Sequence, residues 1–142
     1  MPELPEVETV RLALTQKIIK CKISKTIINT KKIRFKISNK FKEKTKGKTV
    51  LNILRRGKYL IIFLDSNDCI LIHLGMTGVF RISKDYLFKK HDHIDILFKG
   101  GLILRYTDPR KFGSILWTNK NPAIHKLIVR LGPEPLEDEF NV

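Results

Sequence analysis

Removal of Met1 would leave Pro2 at the start of the chain with a free secondary amine. An α-amino group titrates near about pH 8, against about 10.4 for a lysine, so far more of it is neutral and nucleophilic near pH 7. A secondary amine that condenses with an aldehyde carbon can give only a charged iminium, because its nitrogen has no second proton to lose. That cation is an electron sink: it acidifies the neighbouring C–H and favours elimination. Glu3 stands beside the amine and could pass protons to an oxygen of the substrate. The same residues have a purely structural reading, in which Pro2 and Pro5 stiffen an arm while Glu3, Glu6 and Glu8 complement a helix dipole. If Met1 stays, the Pro2 nitrogen is an amide and cannot attack.

Other residue types with chemical potential are weaker. His91, Asp92, His93 and Asp95 lie within five positions. On a strand, His91, His93 and Asp95 alternate and would share one face. No cysteine or third histidine completes a zinc set, so no metal is expected in this chain. Cys21 and Cys69 are far apart and lack CxxC spacing, which reads as two ordinary thiols in a reducing cytosol. Lys58 follows Gly57 at a turn or bulge before a strand.

The elements that would position these groups are short. Pro5 opens a helical pattern, and Val7, Val10, Leu14 and Ile18 recur at spacings of three and four to about Ile19. The texture then becomes β-type: Ile23 to Ile28, Val50 to Leu54, Tyr59 to Leu64, Ile70 to Leu74, Val79 to Ile82, Ile94 to Phe98, Leu102 to Tyr106 and Gly113 to Trp117. Turn residues such as Asp65-Ser66-Asn67-Asp68, Gly75, Gly100-Gly101 and Asp108-Pro109 separate many of these runs. A second helix is predicted from Pro122 to Leu131, with Asn121 as cap and Gly132 as terminator. The expected fold is mainly β, a two-sheet antiparallel sandwich flanked by an N-terminal and a C-terminal helix. Residues 31–48 suggest no element, and residues 133–142 read as an exposed acidic strap or the start of a linker.

Charge narrows the partners. Lys and Arg number 28 against 14 Asp and Glu, a net charge of +14. From Lys17 to Lys58 there are 16 basic residues and one acid, Glu43. Such an excess attracts phosphate polymers and releases their counterions; an anionic membrane or a merely solvated lysine-rich surface are the alternatives. The longest apolar run, Tyr59 to Leu64, suits a buried strand and not a membrane span, and MPELPEVE carries no secretory signal. Length and composition fit one ordinary domain over residues 1–142 in the cytoplasm, with no membrane association.

Six blocks in order, MPELPEVETV (1–10), RRGKY (55–59), HLGM (73–76), KHDH (90–93), RYTDPRKFG (105–113) and LGPEPL (131–136), resemble formamidopyrimidine-DNA glycosylase, the bacterial enzyme that removes oxidised purines. Leu4 separates the chain from the sister family, endonuclease VIII, which more typically has glycine at the fourth position. The resemblance implies a bifunctional glycosylase and AP lyase. It would excise 8-oxoguanine and formamidopyrimidines from damaged double-stranded DNA as a monomer, then cut the strand by β,δ-elimination through a Pro2 Schiff base. It further implies Pro2 as nucleophile, Glu3 as acid–base group, Glu6 as an assistant in protonation and Lys58 as a second catalytic lysine. His91 and Arg110 would contact the DNA backbone. Met76, Arg110 and Phe112 would fill the hole left by the extruded nucleotide. Family members continue past LGPEPL into a helix–two-turn–helix region and a zinc finger, so Zn2+ is expected only there and this chain is expected to be the N-terminal catalytic domain, weak or inactive alone on duplex lesions. The alternative is a non-catalytic DNA-binding module using the basic face.

Overall fold

A computed structural model describes residues 4–30, 32–33, 37, 39–75, 78–84, 89 and 91–119, with side chains from Val7 onward. Helix α1 runs Leu4–Ile18, then β1 (Ile23–Ile28), α2 (Asn39–Thr45), β2 (Val50–Arg56), β3 (Tyr59–Leu64), β4 (Cys69–His73), β5 (Val79–Ser83), β6 (Asp92–Phe98), β7 (Ile103–Thr107) and β8 (Ser114–Thr118). The strands form two four-stranded antiparallel sheets, ordered β1-β6-β7-β5 and β2-β3-β4-β8. The expected sandwich and N-terminal helix are therefore present. The expected helix over residues 122–131 lies outside the described residues, and α2 is an element the sequence did not suggest.

The core follows from the period-two pattern. Ile94, Ile96 and Phe98 from β6 with Leu104 and Tyr106 from β7 meet Leu60, Ile62, Ile70 and Ile72 from the opposite sheet. Strands contribute alternate residues to such a core because successive side chains point to opposite faces. Val7, Leu14 and Ile18 bury the apolar stripe of α1 in the same cluster. The helix stops where Lys20 turns left-handed (φ 69) and its amide donates to the Val50 carbonyl at 2.8 Å. Helix α2 contributes Phe41, and its Thr45 hydroxyl donates back to the Phe41 carbonyl. β3 and β4 are apolar on both faces because Tyr59, Ile61, Cys69 and Leu71 form a second cluster on the outer side of their sheet. Burial, then the charge of Asp68, pushes the Cys69 thiol up to about 12, which makes it an unreactive core group.

The outer face of the other sheet holds charge. Arg105 grips Asp95 with two bonds, Nε to Oδ1 at 2.9 Å and Nη2 to Oδ2 at 2.8 Å. Asp92 lies 3.8 Å from the same guanidinium and accepts from Thr107 (2.6 Å), the Lys89 amide (2.8 Å) and Arg81 (3.3 Å). Asp92 and Asp95 share a face, despite odd spacing, because β6 bulges. Asp92 pairs with Thr107 and Ile94 with Tyr106, so His93 is the extra residue. This overturns the expectation that His91, His93 and Asp95 lie on one face: the bulge turns His93 inward beside Tyr106, while Asp95 stays outside.

Burial would raise the Asp92 pKa, but the Thr107 and Lys89 hydrogen bonds and the Arg105 and Arg81 charges together outweigh it and hold the carboxyl below its usual range. A depressed folded-state pKa contributes stability above the unfolded value, about 3.9, that is lost as pH falls through the folded value. Acid unfolding followed by circular dichroism is expected to be less steep below about pH 4 for Asp92→Asn than for wild type. Identical slopes would show that Asp92 carries no linked proton.

Candidate nucleic-acid interface

Of the predicted site residues, Lys58, His91, Arg110 and Phe112 lie on connections at one end of the sandwich. At that end Arg56, Tyr59, His73 and Ser114 form successive rungs across one sheet. Val79, Thr107 and Asp92 do the same across the other. Beyond these rungs lie the β2–β3 turn, the β4–β5 and β7–β8 connections, which cross between sheets, and the approach to β6. Lys58 sits on the first, Arg110 and Phe112 on the third, and His91 on the last. Met76 belongs to the second but lies outside the described residues, as do Pro2 and Glu3. Glu6 lies in α1, with its side chain outside the described set.

Helix α1 is keyed to this end. Arg11 donates to the Ile53 carbonyl at 3.3 Å, and one turn earlier Glu8 accepts from Arg55 Nε at 3.0 Å. Stepping back along α1 thus means stepping forward along β2, so the helix runs antiparallel to the strand and its first turn lies toward Gly57 and Lys58. Arg55 also donates to the Gly57 carbonyl at 3.1 Å, which ties the ion pair to the turn itself. The Arg11 hydrogen bond to Glu8, despite the opposing effect of burial, helps lower the Glu8 pKa, with Arg55 adding to it. Gly57 has φ 60, as a tight turn before Lys58 requires.

The two crossing connections are in van der Waals contact. A Cβ on Gly75 would lie 2.5 Å from the Gly113 nitrogen and 2.6 Å from the Phe112 carbonyl carbon. The first connection is closed by the Gly78 amide donating to the Leu74 carbonyl at 2.8 Å. In the second, Phe112 is 48% exposed, too much for a core phenylalanine, and the Arg110 guanidinium lies 5.6 Å from its ring centroid. An exposed aromatic ring paired with a cation can stack on an unpaired base and meet its phosphates. The His91 carbonyl accepts from the Asp108 amide at 3.0 Å, so His91 is anchored to the same connection.

His93 and Asp95 use their ligating atoms elsewhere. The Thr30 hydroxyl donates to His93 Nδ1 at 2.7 Å, and His93 Nε2–H donates to the Asp108 carbonyl at 2.6 Å. The carbonyl can only accept, which assigns the proton to Nε2. Among the described residues no group of three His, Cys, Asp or Glu could hold a metal ion.

Among the described residues, the basic run that is continuous in sequence is not one patch in space. Lys44 packs over Trp117, and Lys25, Lys42 and Lys46 line a cleft of about 290 Å³ between β1 and α2. Trp117 is one residue from the end of β8 remote from the glycine connections, so the α2 lysines sit on the flank and far end. The sequence reading missed Glu8 and Arg55 as the link from α1 to the Lys58 turn. It also missed Tyr106 and Asp108, which sit inside the β7–β8 connection.

Residues 1–115 match the family model of the formamidopyrimidine-DNA glycosylase N-terminal domain. The formamidopyrimidine-DNA glycosylase of Hydrogenovibrio crunogenus is 47% identical over 142 residues, covering 99% of this chain and 50% of that protein. That of Saccharophagus degradans is 45% identical, covering 99% and 52%. The chain therefore spans about half the length of the curated relatives it matches. Among solved structures, Lactococcus lactis Fpg with DNA containing an abasic site superposes with a TM-score of 0.76 at 36% identity, over 82% of this chain and 44% of that one. The same enzyme with FAPY-dG-containing DNA gives 0.75 at 37% identity, over 81% and 43%.

Proposed function

This chain belongs to the formamidopyrimidine-DNA glycosylase family, and on that premise we propose that it is the N-terminal catalytic domain, residues 1–142, of a base-excision repair enzyme acting on oxidised purines in duplex DNA. The observation that carries the reading is the antiparallel run of α1 along β2, held by the Glu8–Arg55 and Arg11–Ile53 contacts. It directs the first turn of α1 toward Lys58, at the end where the crossing connections present Arg110 and Phe112.

In this reading the Pro2 amine, freed of Met1, attacks C1′ as the base leaves with a proton, and the ring-opened sugar remains as an iminium on the Pro2 nitrogen. Loss of a proton from C2′ expels the 3′ phosphate, and a second loss from C4′ expels the 5′ phosphate. Water then hydrolyses the iminium and restores the amine. Glu3 carries protons at the sugar oxygen and Glu6 assists protonation near the base. Lys58 supports the eliminations and the phosphates. His91 and Arg110 hold the backbone, while Met76, Arg110 and Phe112 fill the vacated stack, since chemistry at C1′ requires an extruded base. The chain acts as a monomer in the bacterial cytoplasm. Zn2+ belongs to the zinc-finger region of full-length relatives, and no step in this chain uses it.

Borohydride reduction tests the proposal, because only an amine condensed with the sugar gives a stable protein–DNA adduct. The processed chain is expected to be trapped on DNA with a preformed abasic site, and Pro2→Gly is expected to lower the yield several-fold. Equal trapping of a chain with an acetylated N-terminus would rule out Pro2. No adduct from the processed chain, alongside measurable DNA binding, would favour the non-catalytic binding module.

A further inference from the structure

The connection that carries Arg110 and Phe112 is organised around one buried carboxylate, Asp108, which is 0% exposed. Its Oδ2 accepts from the Tyr106 hydroxyl at 2.6 Å and the Gly113 amide at 2.8 Å, and its Oδ1 accepts from the Lys111 amide at 3.1 Å. Two of those donors bracket Phe112. The backbone of Asp108 takes the His93 imidazole on its carbonyl and gives its amide to the His91 carbonyl. An ordinary turn cap would stop there. Here the Tyr106 hydroxyl reaches both crossing connections: a Cβ on Gly113 would stand 1.8 Å from it, and a Cβ on Gly78 would stand 2.7 Å from it. Gly75 in turn presses against Phe112 and Gly113. One phenol therefore sits between the segment flanking Met76 and the segment carrying Arg110 and Phe112, and one carboxylate holds the phenol.

We propose that Tyr106 and Asp108 form a positioning unit that sets the two ends of the β4–β5 connection and the β7–β8 connection in a single register, so that Arg110 and Phe112 meet damaged duplex DNA from a preset frame. The inference rests on the function proposed above. Both residues are buried, so they act through the connections they hold. Their effect is to remove the need to order two connections separately when the duplex is unstacked, an entropic cost that would otherwise weaken binding. A carboxylate suits the task because it only accepts, and the Tyr106 hydroxyl and the Lys111 and Gly113 amides donate to it. An asparagine amide has one oxygen, so its NH2 group would face either the Lys111 amide or the Tyr106 and Gly113 donors.

The test uses the 142-residue chain and two duplexes, one intact and one with a tetrahydrofuran abasic analogue opposite 2-aminopurine. Binding affinity and 2-aminopurine fluorescence, which rises on unstacking, are read on both, and thermal melts are recorded separately. Asp108→Asn is expected to lose about tenfold in its preference for the abasic duplex, with the fluorescence rise reduced to match. Tyr106→Phe, which keeps both amide bonds to the carboxylate, is expected to lose about threefold. The double variant should be no worse than Asp108→Asn alone, because the two act as one unit. Should Asp108→Asn fail to fold, Tyr106→Phe decides the question. A wild-type chain that prefers the abasic duplex, with folded variants that keep that preference, would overturn the positioning unit alone. A wild-type chain with no such preference would overturn the proposed function, and this inference with it.

Discussion

Replacing Gly113 by alanine is expected to destabilise the protein by about 3 kcal/mol or more, the upper range for overpacking. The new methyl would stand 1.8 Å from the Tyr106 hydroxyl and 2.6 Å from the His73 carbonyl oxygen. Tyr106 cannot retreat easily, since it is 0% exposed and packed against Phe80 at 4.9 Å between ring centroids. Burial, then the bond to Asp108, pushes its phenol pKa well up, so it remains a proton donor throughout the working pH range. Gly47 provides the control. Unlike Gly113 it is left-handed, at φ 79, but nothing lies within 4 Å of its would-be Cβ. Gly47→Ala is expected to cost only the backbone penalty of about 1–2 kcal/mol. Urea unfolding of the two variants separates steric from conformational cost. Adding Tyr106→Phe to Gly113→Ala removes the clashing oxygen, so the pair should be less destabilising than the sum of its parts. A Gly113→Ala chain within 1 kcal/mol of wild type would mean that the two connections are not interlocked as described.

Affinity for undamaged duplex is expected to fall about 100-fold between 50 and 200 mM salt, as about four neutralised phosphates would give at a slope of roughly −0.9 per contact. Four is a small number for a chain of net charge +14, and the reason lies in the fold. Lys42, Lys44 and Lys46 belong to α2 and the segment after it, beside β1 and Trp117, away from the end that carries Lys58, His91 and Arg110. Removing Arg110 should therefore lower the log–log slope by about one, whereas removing Lys44 should leave it nearly unchanged. A filter-binding or anisotropy titration measures both. A flat salt response would exclude a phosphate-dominated interface, and an equal effect of Lys44→Ala would mean that the flank binds DNA as well.

The apolar strands were legible because apolar runs survive at their centres, continuous in β3 and β4 where both faces are buried. Their edges moved wherever polar residues stay paired: β2 continues through Arg55 and Arg56, which pair with Leu60 and Tyr59, and β6 begins at Asp92. Helix α2 was hidden because its buried contacts are few, Phe41 and Thr45, among lysines that read as unstructured. The bulge at His93 was invisible because it depends on a neighbour, β7, whose Tyr106 pairs with Ile94 from twelve residues downstream. Among the site residues, Gly75, read as a turn residue, does lie in the β4–β5 connection, whereas Gly113, read as the start of a strand, lies just before β8. The salt link from Glu8 to Arg55 and the carboxylate hub at Asp108 could not be read in advance. Each joins residues through a geometry that only the packed sheets create.

The order β1-β6-β7-β5 also has a consequence in time. The β2-β3-β4 meander joins neighbours in sequence and can zip soon after it leaves the ribosome, but β1 must wait for β6, since Ile28 pairs with Ile94 and the Ser24 hydroxyl donates to the Leu97 carbonyl. Pairing over so long a loop slows folding more than it weakens the folded state, because the closure cost grows only with the logarithm of loop length. At roughly 5–20 residues per second, β1 stays unpaired for several seconds of synthesis. The strand made first is thus among the last to be paired. Its Lys25, together with Lys20 and Lys22 just before it, keeps that waiting edge charged and so discourages it from pairing with another nascent chain.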